Sequence, residues 1–501
     1  MSLSRRDFLA RSSAVTAAFG ALHLLGQRDS LGDSLGRAIA AGNDPVIGYG
    51  ELVRDVTGIL DLPPGFRYSI VSRVGDTMDD GFFVPGKPDG MAAFPGPRLE
   101  ITVLVRNHEI TDDASWGGAF GPDHALLARV PPELIYDAGR AAPPGLKPCL
   151  GGTTTVHFNT RTQRIERQFL SLAGTAYNCA GGRTPWGSWL SCEETTQRRE
   201  KHFEQDHGYV FEVPSSAAGL VTPVPYKAMG RFRREACGVN PDNSIVYMTE
   251  DVEDGLLYRF IPHVPRQLGR GGRLQAMVAL DSPSLDSRNW APPDAPSPAG
   301  AGVPAPTVPT GARLRIGWID IEDVESPDDS LRTQGFARGA IKFARAEGAW
   351  MGREGLYFAC TTGGRNKQGQ IWRYTPPAPA VEGTPREAAS IDTSGSLTLF
   401  FESTDTAAMA NADNITMAPW GDLIVCEDMV AANDGGGAIP RGRRQYLLGI
   451  TPSAQVYKFA RNVLGLSEFA GCTFSPDGST LFVNLQGNGL TLAVTGPWKH
   501  A

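Results

Sequence analysis

Short apolar and aromatic runs, each ending in polar or acidic residues, recur along the chain. Six stand out, at residues 103–109, 189–194, 247–251, 357–362, 423–428 and 481–486. Their interiors alternate with period two and favour β-branched and aromatic side chains, the pattern of half-buried strands. Four are followed, after a turn or longer loop, by a second aromatic strand at residues 209–213, 256–260, 371–374 and 456–459. Helical periodicity is scarce, with a local candidate around residues 126–136. Repeated hairpins with one polar end predict the all-β class and a β-propeller of about six blades, with long inter-blade loops and small helical insertions. The competing arrangement is a sandwich whose strand ends are unrelated.

On a propeller the polar ends meet at one mouth of the axial channel. They are His108-Glu109, Glu193-Glu194, Glu250-Asp251, Thr361-Thr362, Glu427-Asp428 and Leu485-Gln486. Carboxylates gathered there raise one another's pKa and oppose folding unless positive charge joins them. A hard cation such as calcium, which takes six to eight oxygen ligands, answers that need, with Asn107, Asn178 or Asn414 as added amide oxygens. Any one acidic pair taken alone reads as a solvated loop, so repetition carries the expectation.

Seven cysteines at wide spacing do not form a small disulfide framework. Cys192, Cys360 and Cys426 lie in apolar strands and read as small buried hydrophobes. Cys179 sits in a polar glycine-rich stretch, Asn178-Cys-Ala-Gly-Gly182, and a thiolate there favours a transition metal over calcium. CxxC and HExxH patterns are absent, so common zinc sites are not indicated.

The amino terminus adds a separate signal. Arg5 and Arg6 precede Phe8-Leu9 and an apolar small-residue run over residues 14–25. This pattern predicts export by the twin-arginine machinery, and the run is too short for an ordinary membrane span. Ala38-Ile39-Ala40 is a candidate cleavage site, which sets residues 1–40 as the signal region and 41–501 as a single propeller domain. Within that domain, residues 291–311 read as a Pro/Ala-rich loop. A net charge of -7 gives no footprint for nucleic acid.

Several segments together resemble the PhoX-type alkaline phosphatase family. They include residues 89–94, 105–109, the tryptophan-rich 178–194, 230–235, 247–251, 345–348, 413–416, 484–486 and 495–498. The resemblance implies a periplasmic propeller that hydrolyses small phosphomonoesters. It further implies calcium ions with two ferric ions, the irons bridged by an oxide and a cysteine thiolate. By motif, Cys179 is the implied bridging thiolate. Glu194, Glu235, Glu250, Asp251, Glu347, Glu427 and Asp428 are the implied carboxylate pool, with Glu193 beside them and Glu109 and Asn178 as further cofactor contacts. Arg234 and Arg365 are the first candidates to grip phosphate, followed by Arg106, Arg231 and Arg233. His108 is read either as a partner of the metal ligands or as a structural histidine. The chain departs from the family where Arg234-Glu235 replaces His-Glu, since arginine cannot act as a neutral ligand. A calcium-binding propeller without phosphatase activity, or another esterase or lactonase on the same scaffold, remains an alternative expectation.

Overall fold

The computed structural model describes residues 47–110, 117–142, 145–290, 307–377, 395–428 and 443–499. The expected export signal at residues 1–40 and residues 291–306 of the Pro/Ala loop lie outside these. Antiparallel sheets dominate. One sheet joins Pro88–Pro95, Ile101–His108, Gly151–Asn159 and Arg164–Thr175, and a three-stranded sheet follows from Asn178–Arg183 to Val210–Pro214. A nine-stranded sheet holds two strand sets, beginning at Arg234–Val239 and at Ala346–Gly352. Its two halves meet where Arg313–Asp320 pairs Gly395–Glu402. The remaining large sheets start at Ala412–Met417 and Phe469–Phe474. The first α-helical expectation resolves into two short 3-10 helices, Ala125–Arg129 and Pro132–Leu134.

The first strand of each set packs against the first strand of the next. Pro88–Pro95 touches Asn178–Arg183, which touches Arg234–Val239, then Ala346–Gly352, Ala412–Met417, Phe469–Phe474 and again Pro88–Pro95. The result is a propeller-like ring with apolar cores between neighbouring sheets. Cys192, Cys360 and Cys426 are buried in those cores, as their sequence context predicts. The ring closes by borrowing. Arg67–Arg73, from the amino-terminal side, completes the sheet of Phe469–Phe474 by pairing Leu490–Thr495. Trp498 then packs among Tyr49, Phe66 and Phe459.

Small residues let the inner strands approach one another. A Cβ at Gly348 would lie 2.5 Å from the Asp413 carbonyl oxygen, and one at Gly471 would lie 2.2 Å from that of Asp89. Gly90, Ala180, Ala236, Gly348, Asn414 and Gly471 thus form a tight collar around the axis. On one side of it lies a cavity of about 470 Å³, lined mainly by apolar groups such as Met91, Trp350 and Met417. Gly348→Ala is expected to lower stability by about 1–3 kcal/mol. Gly219→Ala, where an added Cβ meets nothing within 4 Å, should be near neutral. Denaturant midpoints of the two variants check this, and equal midpoints would refute the tight collar.

Candidate metal centre

Each inner strand carries a break in its ladder, at the same place in five and one residue further along in the sixth. Register shifts fall between Pro88 and Met91, Arg234 and Cys237, Ala346 and Ala349, Ala412 and Ile415, and Ala470 and Thr473. The strand Asn178–Arg183 has its shift opposite Ser191 and Glu193. A β-bulge re-aims a side chain that alternation would otherwise place elsewhere. The first residues inside these breaks are Asp89, Cys179, Glu235, Glu347, Asp413 and Gly471, so five of the six offer a metal-ligating group.

The partner strand contributes the second tier. The amides of Glu109, Glu194, Asp251, Thr361, Asp428 and Gln486 donate to the carbonyls of Lys87, Tyr177, Arg233, Arg345, Asn411 and Glu468, at 2.8–3.3 Å. In five of the six the accepting residue lies two positions before the first bulged residue, and in the sixth Glu468 lies three before Gly471. Lys87, Tyr177, Arg345 and Asn411 take positive φ there, a costly conformation held by its surroundings. The fourth hairpin is shifted by one against the sequence pairing, because Ala346 pairs Cys360. Thr361 therefore stands where the others place Glu194 or Asp428.

These tiers converge. Ligand atoms of Cys179, Glu194 and Glu235 lie within 4.8 Å of one another, as do those of Glu235, Glu347 and Asp413. Burial pushes the carboxyls of Glu194, Glu235, Glu347 and Asp413 well up, with neighbouring carboxylates adding to it. Asp89 is pushed up to about 8 by burial and then by Glu109. Its Oδ1 is buried without a hydrogen-bond partner, while Oδ2 accepts from Gln486 Nε2 at 2.6 Å. Burial also holds the Cys179 thiol well above its ordinary range, followed by Glu235 and Glu194. A pocket of oxygen donors with one thiol, one orphaned carboxylate oxygen and mutual repulsion fits bound cations.

Two side-chain cations enter this region. Arg345 bonds Asp251 at 2.9 and 3.0 Å and Glu347 at 2.8 Å, and lies 3.5 Å from Asp428. Lys87 Nζ donates to Gln486 at 2.6 Å and stands 3.5 Å from Glu109. Arg233 is exposed, beside the amide of Asp251 that its carbonyl accepts. The motif containing Trp189 has a positioning task. Its indole donates to Asn107 Oδ1, and Asn107 Nδ2 donates to the carbonyls of Cys179 and Ala180.

Of the residues expected from sequence, Cys179, Glu194, Glu235, Glu347, Asp251, Asp428 and Glu109 come to this end of the axis. Others do not. Glu193 Oε2 accepts amides of Gly208 and Tyr209, and its Oε1 faces His207. Glu250 accepts from the Leu256 amide and Tyr258 hydroxyl, and Glu427 pairs with Arg443. Each sits one residue before the convergent position, so the pleat turns it back into its own sheet. Arg234 is fully buried, donates to the carbonyls of Gly208, Met229 and Gly230, and stacks on Phe232. Arg231 and Arg106 are likewise buried in structural hydrogen bonds. The backbone amide of Arg365 donates to Glu402. Asn178 bonds Thr175 and Ser191, and Asn414 bonds Asp413 and Gly471. His108 is a structural histidine. It bridges Gly86 and Thr154, and burial followed by Arg106 keeps it neutral. Asp89, Asp413, Arg345, Lys87 and Glu468 were not in the expected set. Asp89 carried a signal, an acid or cysteine followed by Gly or Ala, as in Asp89-Gly90, Cys179-Ala180, Glu235-Ala236 and Glu347-Gly348; Asp413, Arg345, Lys87 and Glu468 fall outside that pattern.

An all-β, propeller-like ring with a cluster of metal-ligating groups at its axis defines the class of this protein. The family model for alkaline phosphatase PhoX matches residues 47–133 and 147–489, and the chain belongs to that family. The structure of Pseudomonas fluorescens PhoX in complex with vanadate, a transition state analogue, is similar at 17% identity and a TM-score of 0.62, covering 90% of this chain and 98% of that one. A gluconolactonase from Xanthomonas campestris gives 10% identity and a TM-score of 0.35 over 87% of this chain and 99% of that one, too slight to carry an argument. No curated protein matches the sequence.

The raised carboxyls predict a pH dependence for the metal-free protein. A carboxyl raised on folding binds its proton more tightly in the native state. Its stabilising contribution is present at low pH and is lost as pH rises through the folded value. For Asp89 that window runs from 3.8 to about 8. Melting temperature in chelator should therefore fall across this range, and excess calcium should remove most of the slope. A chelated profile that rises throughout would contradict the clustering of acids.

Proposed function

We propose that this protein is an exported phosphomonoesterase, working in the periplasm or outside the cell after passage through the twin-arginine machinery. The observation that carries the reading is the convergence of Cys179 with Glu194, Glu235, Glu347 and Asp413 at one end of the axis, in a chain of the PhoX family. We read the ring as six blades in a single domain after a signal at residues 1–40. Six inner strands and six repeated amide contacts support that count.

Cys179, Glu194, Glu235, Glu347 and Asp413, with Asp89, would hold calcium and iron. Bound there, the metals would polarise phosphoryl oxygens and supply an activated oxygen nucleophile. Arg345 and Lys87 replace the buried Arg234 as the side chains suited to binding the phosphate dianion, with exposed Arg233 nearby. The guanidinium of Arg345 is held by Asp251 and Glu347, so its orientation is set before substrate arrives. Asn107 and Trp189 hold the Cys179 backbone in place. The orphaned Oδ1 of Asp89 is aimed by a bulge and fixed through its other oxygen.

Elemental analysis of natively exported, chelator-free protein should find iron together with calcium, and a chromogenic phosphomonoester should be cleaved. Cys179→Ser should remove the iron and lower kcat/KM by more than about 100-fold. Calcium without iron, and no cleavage, would leave a calcium-binding propeller in place of the phosphatase. Arg345→Gln should weaken inhibition by inorganic phosphate about tenfold, the loss of one charge-assisted contact. Unchanged inhibition would remove Arg345 from phosphate binding.

A further inference from the structure

A second cluster of ligating side chains lies apart from the axial acids. Asp137, Cys149 and His207 are all buried. Nε2 of His207 stands 3.2 Å from Asp137 Oδ2 and 3.7 Å from Cys149 Sγ. These two spacings match edges of a tetrahedron about one ion, and the three ligand atoms all lie within 4.8 Å of one another. With metal bonds of about 2.0–2.1 Å to nitrogen or oxygen and 2.3 Å to sulfur, such edges are about 3.3 and 3.6 Å.

The other face of the imidazole supports the same assignment. Nδ1 lies 2.6 Å from Glu193 Oε1, the carboxylate contact that fixes the tautomer of a metal-bound histidine. Glu193 is itself fixed by the amides of Ala176, Gly208 and Tyr209. Asp137 is fixed by those of Gly139, Glu204 and Gln205. Arg231 Nε holds the His207 carbonyl at 2.8 Å. The ring is therefore locked with Nε2 aimed at one sulfur and one oxygen.

We propose that Asp137, Cys149 and His207 bind a zinc-class dication, with Glu193 as the positioning carboxylate behind the histidine. One thiolate, one imidazole and one carboxylate suit zinc and not calcium. Loading exchanges the Nε2 proton and the thiol proton for the ion, so two protons leave as two positive charges arrive. The net charge of the group is then the same as with an imidazolium and a neutral thiol, and no new charge is buried. Asp137 lies within residues 134–146, the internal stretch that the family model leaves unmatched. The ion would tie this excursion to the segment carrying Glu193 and His207, where Phe203 and Ala176 already pack against Cys149.

The test uses full-length protein produced with zinc or cobalt(II). Cys149→Ala removes one weak sulfur contact and leaves both carboxylates and the histidine in place. Zinc content should fall by one ion per chain in this variant, with calcium and iron unchanged. Cobalt-loaded protein should show tetrahedral visible bands and thiolate charge transfer that vanish in Cys149→Ala and persist in Cys179→Ser. Equal zinc content, or bands that survive in Cys149→Ala, would overturn the proposal and leave a buried imidazolium between two carboxylates. Should Cys149→Ala fail to fold, zinc-edge X-ray absorption of Cys179→Ser protein decides. A sulfur in the zinc shell supports the site, and a purely oxygen shell or no zinc refutes it.

Discussion

Mutual repulsion among carboxylates is the constraint on which this architecture turns. Asp89, Glu194, Glu235, Glu347, Asp413 and Glu468 all have carboxyls raised by burial in one region. A protein interior does not hold such a group of ionised acids without compensation. Arg345 and Lys87 supply part of it, and protons supply the rest when metals are absent. Metals meet the same demand without protonation. The stability of the ring and the occupation of its axis are for this reason one thermodynamic problem.

The backbone solves the geometric half of that problem by repetition. Five of the six hairpins supply a bulge that aims one ligating side chain, in four of them followed by Gly or Ala that lets strands approach, and all six supply an amide contact that fixes the second tier. Positive φ at four equivalent positions shows the same local distortion recurring. Precision comes from strands and not loops, which suits a site whose ligands must hold a cation at fixed distance. The collar then divides the axis into an acidic end and a cavity lined by Met91, Trp350 and Met417.

Much of this was legible in the sequence, for reasons particular residues make clear. Period-two alternation exposed the strands ending at Glu109, Glu194 and Asp428, and their polar ends do converge. Alternation failed where the chain is bulged, since a bulge breaks the very period that reveals a strand. Asp89 and Asp413 lie within the resembling segments 89–94 and 413–416, but each sits in a bulge and so escapes a period-two pattern. Paired acids hid a division of labour. Glu193, Glu250 and Glu427 face their own sheets while the next residue faces the axis, and only register separates the two. Arg234 adjoins Glu235 in sequence, but neighbours on a strand point to opposite faces. Arg345 reaches the acids from a left-handed position that no spacing rule anticipates.

Closure of the ring has a consequence for how the site comes into being. Asp89 and Cys179 belong to the first half of the chain, yet Asp89 is held by Gln486, and the strand that follows, Leu490–Thr495, pairs back to Arg67–Arg73. A ribosome-bound chain still lacking its last residues cannot present the complete ligand set. Completion of the ligand set and closure of the ring are therefore one event, and the site exists only in the finished chain.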